Sequence, residues 1–361
     1  MFESKLPLDP YFSAAKLGWL LQNIPAVKSA HAAGTLRLGT TDAFFLDRLT
    51  GRFVTDVTTA SRTSLMNLQT LSWDPVLCAV FGVPMACLPD IVTTTGDFGV
   101  VETRYGATPV TASIVDQQAA LYGFGCRTAG DAKITFGTGA FALMVAGTTV
   151  VSQDNPVLLP TVTWQMSGQP PVYALEGGVF AASAAINWAR SLGLFCDFSN
   201  INNFDAPPAI ASGLAFVPAL SGLGCPHWVS GARGVWLGLS LDHSPQQLVQ
   251  SILEGVALRA VEVIEALDAC VPLPGGLEID GGLSKNPYFA KFLADVSGRQ
   301  VRAAVMPEMT GQGVLQLAGM QLGEPFNFAS DATIYASEST DGFYRERFAR
   351  AVSMSKTWSG T

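Results

Sequence analysis

Charge is scarce in this sequence. Only 14% of its 361 residues are Asp, Glu, Lys or Arg, and the 29 acidic side chains outnumber the 21 basic ones. No basic cluster occurs, which speaks against nucleic acid as a partner. A nucleotide remains compatible with net charge −8, because Mg²⁺ and backbone N–H groups carry much of phosphate recognition. Histidine is scarcer still: His31, His227 and His243 stand too far apart in sequence to suggest a metal site. None of the six cysteines forms a Cys-x-x-Cys pair, so free thiols in a reducing cytosol are expected. Long apolar runs are missing. The most suspicious, Val76 to Leu88, is broken by Gly82 and Pro84, too short for a membrane span. Phe2, Glu3 and Ser4 after Met1 give neither the basic nor the apolar part of a secretory signal, so a cytoplasmic location is expected. Repeats and low-complexity tracts are absent too.

What is present is apolar material spread along the chain, 48% of residues, enough for two domains with substantial cores. Helices are expected over Pro10 to Asn23 (apolar set Phe12, Leu17, Leu20, Leu21), Ser61 to Leu68, Pro75 to Val80 and Gln117 to Gly125. Thr108 to Val115 is rich in β-formers and ends at Asp116. Lys133 to Phe136, then Gly137-Thr138-Gly139, then Ala140 to Ala146 reads as strand, tight turn, strand. A helix is expected around Val179 to Leu192. Ser244-Pro245-Gln246-Gln247 has the form of a capping box, followed by Leu248, Ile252, Val256, Ala260 and Ile264 at helical spacing. Leu277 to Asp280 and Val301 to Val305 read as strands, and Pro287 to Val296 and Gly311 to Met320 as helices. From Asn327 onward the polar composition suggests a surface element or loose tail. Alternating strands and helices indicate α/β layers, with a domain boundary near 126–132, dividing the chain into 1–128 and 129–361.

Three short constellations have chemical potential. The glycines of Gly137-Thr138-Gly139 would let a phosphate reach the backbone, though an ordinary β-turn has the same look. Asp280-Gly281-Gly282, between an apolar strand and a helix, leaves room for a nucleotide or is a plain strand-to-helix turn. Asp116, at a strand's carboxyl end and opening a helix, is placed for base catalysis or Mg²⁺, or is simply the helix N-cap.

Two longer patterns narrow these readings. One is Tyr11-Phe12-Ser13-Ala14-Ala15-Lys16-Leu17-Gly18-Trp19-Leu20-Leu21-Gln22-Asn23. The other runs from Gly234-Val235-Trp236-Leu237-Gly238-Leu239 through Gln247-Leu248 to Ser251-Ile252-Leu253-Glu254. With these the chain resembles the FGGY carbohydrate kinases from about Leu6 to Gly323. Leu8-Asp9-Pro10-Tyr11-Phe12, Thr55-Asp56, Ala60-Ser61-Arg62-Thr63, Gly137 to Phe141 and Tyr173-Ala174-Leu175-Glu176-Gly177 are similar to the glycerol kinases among them.

The resemblance implies a two-domain actin/hexokinase-like (ribonuclease H-like) α/β fold, with ATP and a small polyol such as glycerol in the cleft between domains. It implies Asp116 as catalytic base and as a Mg²⁺ contact through water. Tyr11, Asp116, Gln117 and Phe141 become polyol-binding positions. Gly137 and Thr138 become the phosphate turn, and Ser183, Asn187, Gly282 and Asn286 nucleotide contacts. A homo-oligomer is a further implication. Members acting on a tetritol or a ketopentose, and a non-catalytic truncated paralogue, are the alternatives.

The chain also departs from the pattern. An Asp-x-Gly-Thr-Thr phosphate loop, and an Arg-Glu pair and Trp that grip glycerol, belong to the family's first domain and are not found here. The expectation is therefore an incomplete first domain with exposed apolar faces and little or no kinase activity from this chain alone. Val115 stands where Gly is usual, Ser183 and Asn187 where Gly and Gln are common, and Val229 where Asp is common. Gly99 to Gly106 lacks the glycine-lysine loop for fructose 1,6-bisphosphate, so no regulation by that sugar is expected.

Overall fold

The computed structural model describes residues 6, 9, 11–151, 157–306, 308–326, 328, 331–338 and 342–358. Leu8, Pro10 and Asn327, which entered the expectations above, lie outside them.

The first helix, α1 (Ser13–Asn23), starts after Phe12, whose extended backbone provides the cap. It buries Ala14, Leu17 and Gly18, and at Gly18 any Cβ would meet the carbonyl oxygen of Phe81 in the helix Pro75–Phe81. The two helices therefore cross at backbone distance. Around them residues 11–110 form short pieces: a parallel pair Val54–Asp56 with Asp90–Val92, and two-stranded antiparallel pairs Met66–Asn67 with Ser72–Trp73 and Val100–Thr103 with Gly106–Pro109. No helix spans Ser61 to Leu68. The Asp56 carboxylate caps a single turn, Val57–Ala60, by accepting the N–H groups of Thr58 and Thr59, and Ser64 takes a positive φ of 65° that turns the chain.

Helix α2 (Asp116–Gly123) leads into the second unit. There β1 (Ala132–Phe136) and β2 (Ala140–Gly147) form the expected hairpin, followed by β3 (Leu159–Trp164) and β4 (Val172–Val179). Val179 thus ends a strand, and α3 is confined to Ser183–Ser191. The buried helix α4 (Pro245–Cys270) begins with the anticipated capping box between Ser244 and Gln247. Then come β5 (Leu277–Gly281), α5 (Pro287–Ser297), β6 (Val301–Ala304) and α6 (Met309–Gln321). The stretch past residue 327 is no loose tail. It supplies β7 (Ala332–Tyr335) and α7 (Phe343–Trp358), which buries Phe348, Ala351, Val352 and Ser355 at helical spacing. That stripe was present in the sequence beneath a polar average composition.

The seven strands form one mixed sheet in the order β7-β6-β5-β1-β2-β4-β3. Strands β6, β5 and β1 are parallel, and the other pairings are antiparallel. One face, with Ile134, Phe136, Ala142, Met144, Leu175 and Ile279, joins α4 in the largest core cluster. The opposite face packs Leu143, Val145 and Ala174 against Leu121 and Tyr122 of α2 and Leu317 of α6. This second face carries the polar residues discussed next. All six cysteines are free, and burial pushes the Cys126 and Cys225 thiols up to about 12. Among the described residues no helix is long and apolar enough to cross a membrane.

Candidate active site

Helix α2 is held from behind by α6. A Cβ on Gly123 would meet the Met309 carbonyl oxygen, and one on Gly313 would meet that of Ala119, so the two backbones touch where both glycines lie. Gln312 Nε2 donates to the Gly123 carbonyl at 3.1 Å, and Thr310 Oγ1 to the Asp116 carbonyl at 3.4 Å. Close backbone contact and the Gln312 bond therefore fix the middle and carboxyl end of α2, and the Thr310 bond reaches its first residue. Asp116 is its first residue and not its cap; the cap position belongs to Val115, which makes no side-chain bond. The Asp116 carboxylate is exposed and accepts the N–H of Gln117 at 2.7 Å. A carboxylate in this place also benefits from the positive end of the helix dipole.

Gln117 points its Oε1 at Lys133, whose ammonium donates to it and to Thr135 Oγ1 at 2.7 Å. Lys133 is fully buried. Burial drives its ammonium below the ordinary lysine range, while Asp280, Asp116 and Glu176 pull it back toward the charged form. The sheet register explains the company. Lys133 lies opposite Glu278 on β5 and Leu143 on β2, and Leu143 lies opposite Glu176 on β4. One row further, Asp280, Thr135, Phe141 and Gly178 are consecutive cross-strand neighbours.

At one end of these rows is a pocket of about 190 Å³ lined by Tyr11, Phe12, Phe141, Glu176, Phe180 and Trp228 among others. Tyr11 and Phe141, from distant parts of the chain, do meet here. Asp116 and Gln117 do not line this pocket; Lys133 ties them to the same sheet face. The volume falls below the ~300–1,000 Å³ usual for drug-sized ligands, which points to a small occupant. Arg62 braces the wall. Its Nη2 bonds Glu176 Oε1 at 3.0 Å, and its guanidinium lies 5.8 Å from the Tyr11 ring and 5.5 Å from that of Phe12. This buried pair joins the first unit to the second. Trp228 is fixed by its indole N–H on the Val157 carbonyl at 2.8 Å.

At the other end is a cleft of about 450 Å³ lined by Ser183, Asn187, Gly282, Asn286, Phe198 and Lys285 among others. Four expected nucleotide contacts thus share one cavity. Their capacities differ. Asn286 caps α5 by accepting the Phe289 N–H at 2.8 Å and donates to the Ile201 carbonyl at 2.8 Å, so its amide is engaged in the fold. Gly281 and Gly282 separate cleanly. Gly281 has φ 91° and a Cβ there would strike the Phe136 backbone. Gly282 has helical angles and open space where a Cβ would go. The fold demands glycine at the first and leaves the second to what approaches from the cleft. The turn Gly137-Thr138-Gly139 is clamped on α3: the Gly137 carbonyl accepts the Ser183 N–H, and that of Thr138 accepts those of Ala182 and Ala184. These α3 donors are occupied, so an anion here would depend on the turn's own N–H groups.

Sequence reasoning missed Lys133, Arg62, Phe180 and Trp228 as parts of the site. Lys133 had a signal: a lone charge inside the apolar strand Ala132–Phe136. Arg62 and Glu176 had none that would pair them across 114 positions.

Comparison with known proteins gives the same frame. The pattern of the FGGY family of carbohydrate kinases, C-terminal domain, matches residues 132–322, and that of the N-terminal domain matches 2–123. The chain is 39% identical over 325 residues to a glycerol kinase of Bdellovibrio bacteriovorus, covering 88% of this chain and 66% of that protein. It is 41% identical to one of Thermus brockianus, covering 88% and 65%. It therefore spans just under two thirds of the length of these curated relatives. Among solved structures, Plasmodium falciparum glycerol kinase with ADP superposes with TM-score 0.88 at 30% identity, over 98% of this chain and 73% of that one. A xylulose kinase from Lactobacillus acidophilus, at 21% identity and TM-score 0.83 over 98% of this chain and 74% of its own, shares the fold. With family patterns over both halves and an identity near 40% across most of its length, the chain belongs to the FGGY family of carbohydrate kinases.

Proposed function

We propose that the chain carries the phosphoryl-transfer site of an ATP-dependent kinase for glycerol or a similar small polyol. One observation carries the reading: the row Gly178-Phe141-Thr135-Asp280 connects the small pocket to the strand end that opens at Gly282 into the cleft. Neighbouring strands stand about 4.8 Å apart, so Phe141 and Asp280, two strands apart, are separated by roughly 10 Å. That is a distance over which a three-carbon alcohol and a triphosphate can meet.

In this reading Asp116 takes the proton from the attacking hydroxyl as its oxygen bonds to the γ-phosphorus and the bond to ADP breaks. Gln117 holds the alcohol beside it. Tyr11 and Phe141 give the apolar walls, and Arg62 with Glu176 stiffens them. Backbone N–H groups of Gly137 and Thr138 face the phosphates, while Ser183, Asn187, Gly282 and Asn286 border the nucleoside. With a boundary between residues 128 and 129, Tyr11 and Phe141 would border the alcohol from the two units. Mg²⁺ fits the donors present: Asp280 Oδ1 is buried without a hydrogen-bond partner, and Asp116 is exposed nearby. Among the described residues no group of three or more metal-ligating side chains gathers, which suits an ion that keeps its waters and the nucleotide's phosphates as ligands. When bound it neutralises charge on the phosphates. The composition and the apolar-run pattern favour a cytoplasmic setting.

A coupled ADP-release assay with glycerol tests this. The expected result is glycerol-dependent turnover slower than the ~1–100 s⁻¹ typical of kinases. Asp116→Asn should lower it by about 10²–10⁴-fold while calorimetric ATP affinity stays within about twofold. ADP release indifferent to glycerol, or intact in the variant, would refute the reading.

A further inference from the structure

Lysine is seldom fully buried, because its ammonium loses water and needs compensation. Lys133 is fully buried, yet its two hydrogen bonds go to neutral oxygens, those of Gln117 and Thr135. The carboxylates around it, Asp280, Asp116 and Glu176, supply charge without taking those bonds. The adjacent Glu278 is engaged by Arg302 at 2.7 Å. A cation placed only to be neutralised would bond a carboxylate directly. This one spends its donors on an amide and a hydroxyl.

We propose that Lys133 is a positioning residue that fixes the Gln117 amide, carbonyl oxygen inward and NH₂ toward the bound alcohol. The chemistry leaves one choice. An ammonium has only donors, so the amide must turn its oxygen to Lys133, and its NH₂ then faces away. Asp116 precedes Gln117 in the first turn of α2 and offers only acceptors. The two adjacent side chains thus present opposite polarities: a hydroxyl can give its proton to Asp116 and accept from Gln117. Without Lys133 the amide could rotate and present two acceptors side by side, which would suit a hydroxyl oxygen poorly. The inference rests on Gln117 being a polyol ligand, as proposed above.

The test uses this chain and its Lys133→Met, Lys133→Arg, Gln117→Leu and Lys133→Met/Gln117→Leu forms. Glycerol KM, kcat, ATP KM and urea midpoints would be measured for each. Lys133→Met should raise glycerol KM by roughly tenfold or more, as expected for loss of a charged hydrogen bond. ATP KM should stay within about twofold. Lys133→Arg, which also has only donors, should recover most of the loss. In the Gln117→Leu background, Lys133→Met should change glycerol KM by no more than about twofold. Additive effects on KM, or a lowered midpoint with unchanged glycerol KM, would overturn the proposal. If the parent chain turns over no glycerol, the functional reading fails separately. The Lys133–Gln117 coupling is then judged from the urea midpoints: non-additive shifts sustain the positioning role and additive shifts refute it.

Discussion

The two units of this chain are built by different means. Residues 132–358 organise around one seven-stranded sheet and the buried helix α4, and most of their buried apolar side chains join one extensive cluster, with a smaller one on the sheet's opposite face. Residues 11–110 contain only two-stranded pairs and several small clusters, and leave Trp19, Phe44, Phe45, Leu49, Val76 and Val80 more than half exposed. Apolar side chains at that exposure add nothing to a core. Candidate-site residues on the sheet, such as Lys133, Phe141 and Glu176, therefore stand on a rigid base. Tyr11, 60% exposed, depends on Arg62 and the neighbouring Phe12 for its place.

Core truncations should break this contrast most sharply. Phe136→Ala, fully buried in the large cluster and 4.8 Å from the Phe289 ring, should cost about 3–5 kcal/mol in urea unfolding. Leu65→Ala, equally buried but in a small cluster, should cost no more than about 2–3 kcal/mol, since its surroundings can collapse. Equal losses would remove the distinction.

A pH series sharpens it further, because each unit holds a fully buried carboxyl that burial pushes up. In α4, burial outweighs the donors Tyr288, Ile210 and Ala209 and pushes Glu254 up to about 7. In the first unit, burial pushes Asp56 up to about 6 despite Thr58 and Thr59. Both folded-state values lie above the unfolded ones, so the folded state holds its proton longer. Stability is full below the unfolded pKa and falls as pH rises to the folded one: from 4.5 to about 7 for Glu254, and from 3.8 to about 6 for Asp56. The Glu254 contribution is on the order of 3 kcal/mol. In Glu254→Gln the decline between pH 6 and pH 7 should flatten, and in Asp56→Asn it should persist. A decline unchanged in Glu254→Gln would show that the carboxyl titrates normally.

The smallest effect concerns the cleft. Gly282→Ala meets no protein atom and needs no strained backbone, so its unfolding free energy in urea should stay within about 0.5 kcal/mol of the parent. ATP affinity should fall by roughly tenfold if the nucleotide occupies that space. Unchanged affinity would move the nucleotide elsewhere.

Much of the second unit was legible beforehand, because its signals are local. The hairpin around Gly137-Thr138-Gly139, the Ser244 capping box and the strand breaking at Gly281-Gly282 each need only a few neighbouring residues. Ser61 to Leu68 misled, because Asp56 and the positive φ of Ser64 override an apolar helical pattern. Helix α7 was hidden by its average polarity. Asp116 and the two glycine turns stood out by local pattern, each beside a plain structural alternative; the family likeness gave them roles and added Tyr11 and Phe141. Lys133 and the Arg62–Glu176 pair became visible only in three dimensions, since register and long-range pairing place them.

The row of cross-strand neighbours from Gly178 to Asp280 has one further consequence. Backbone hydrogen bonding sets the spacing between pocket and cleft, and side-chain substitutions that keep the strand pairing leave that spacing alone. On the proposed reading, residues around the pocket could then be exchanged to admit another alcohol without re-adjusting the reach of the phosphoryl group. The sheet would act as a fixed ruler, with the pocket's occupant a separate, replaceable fitting at one of its ends.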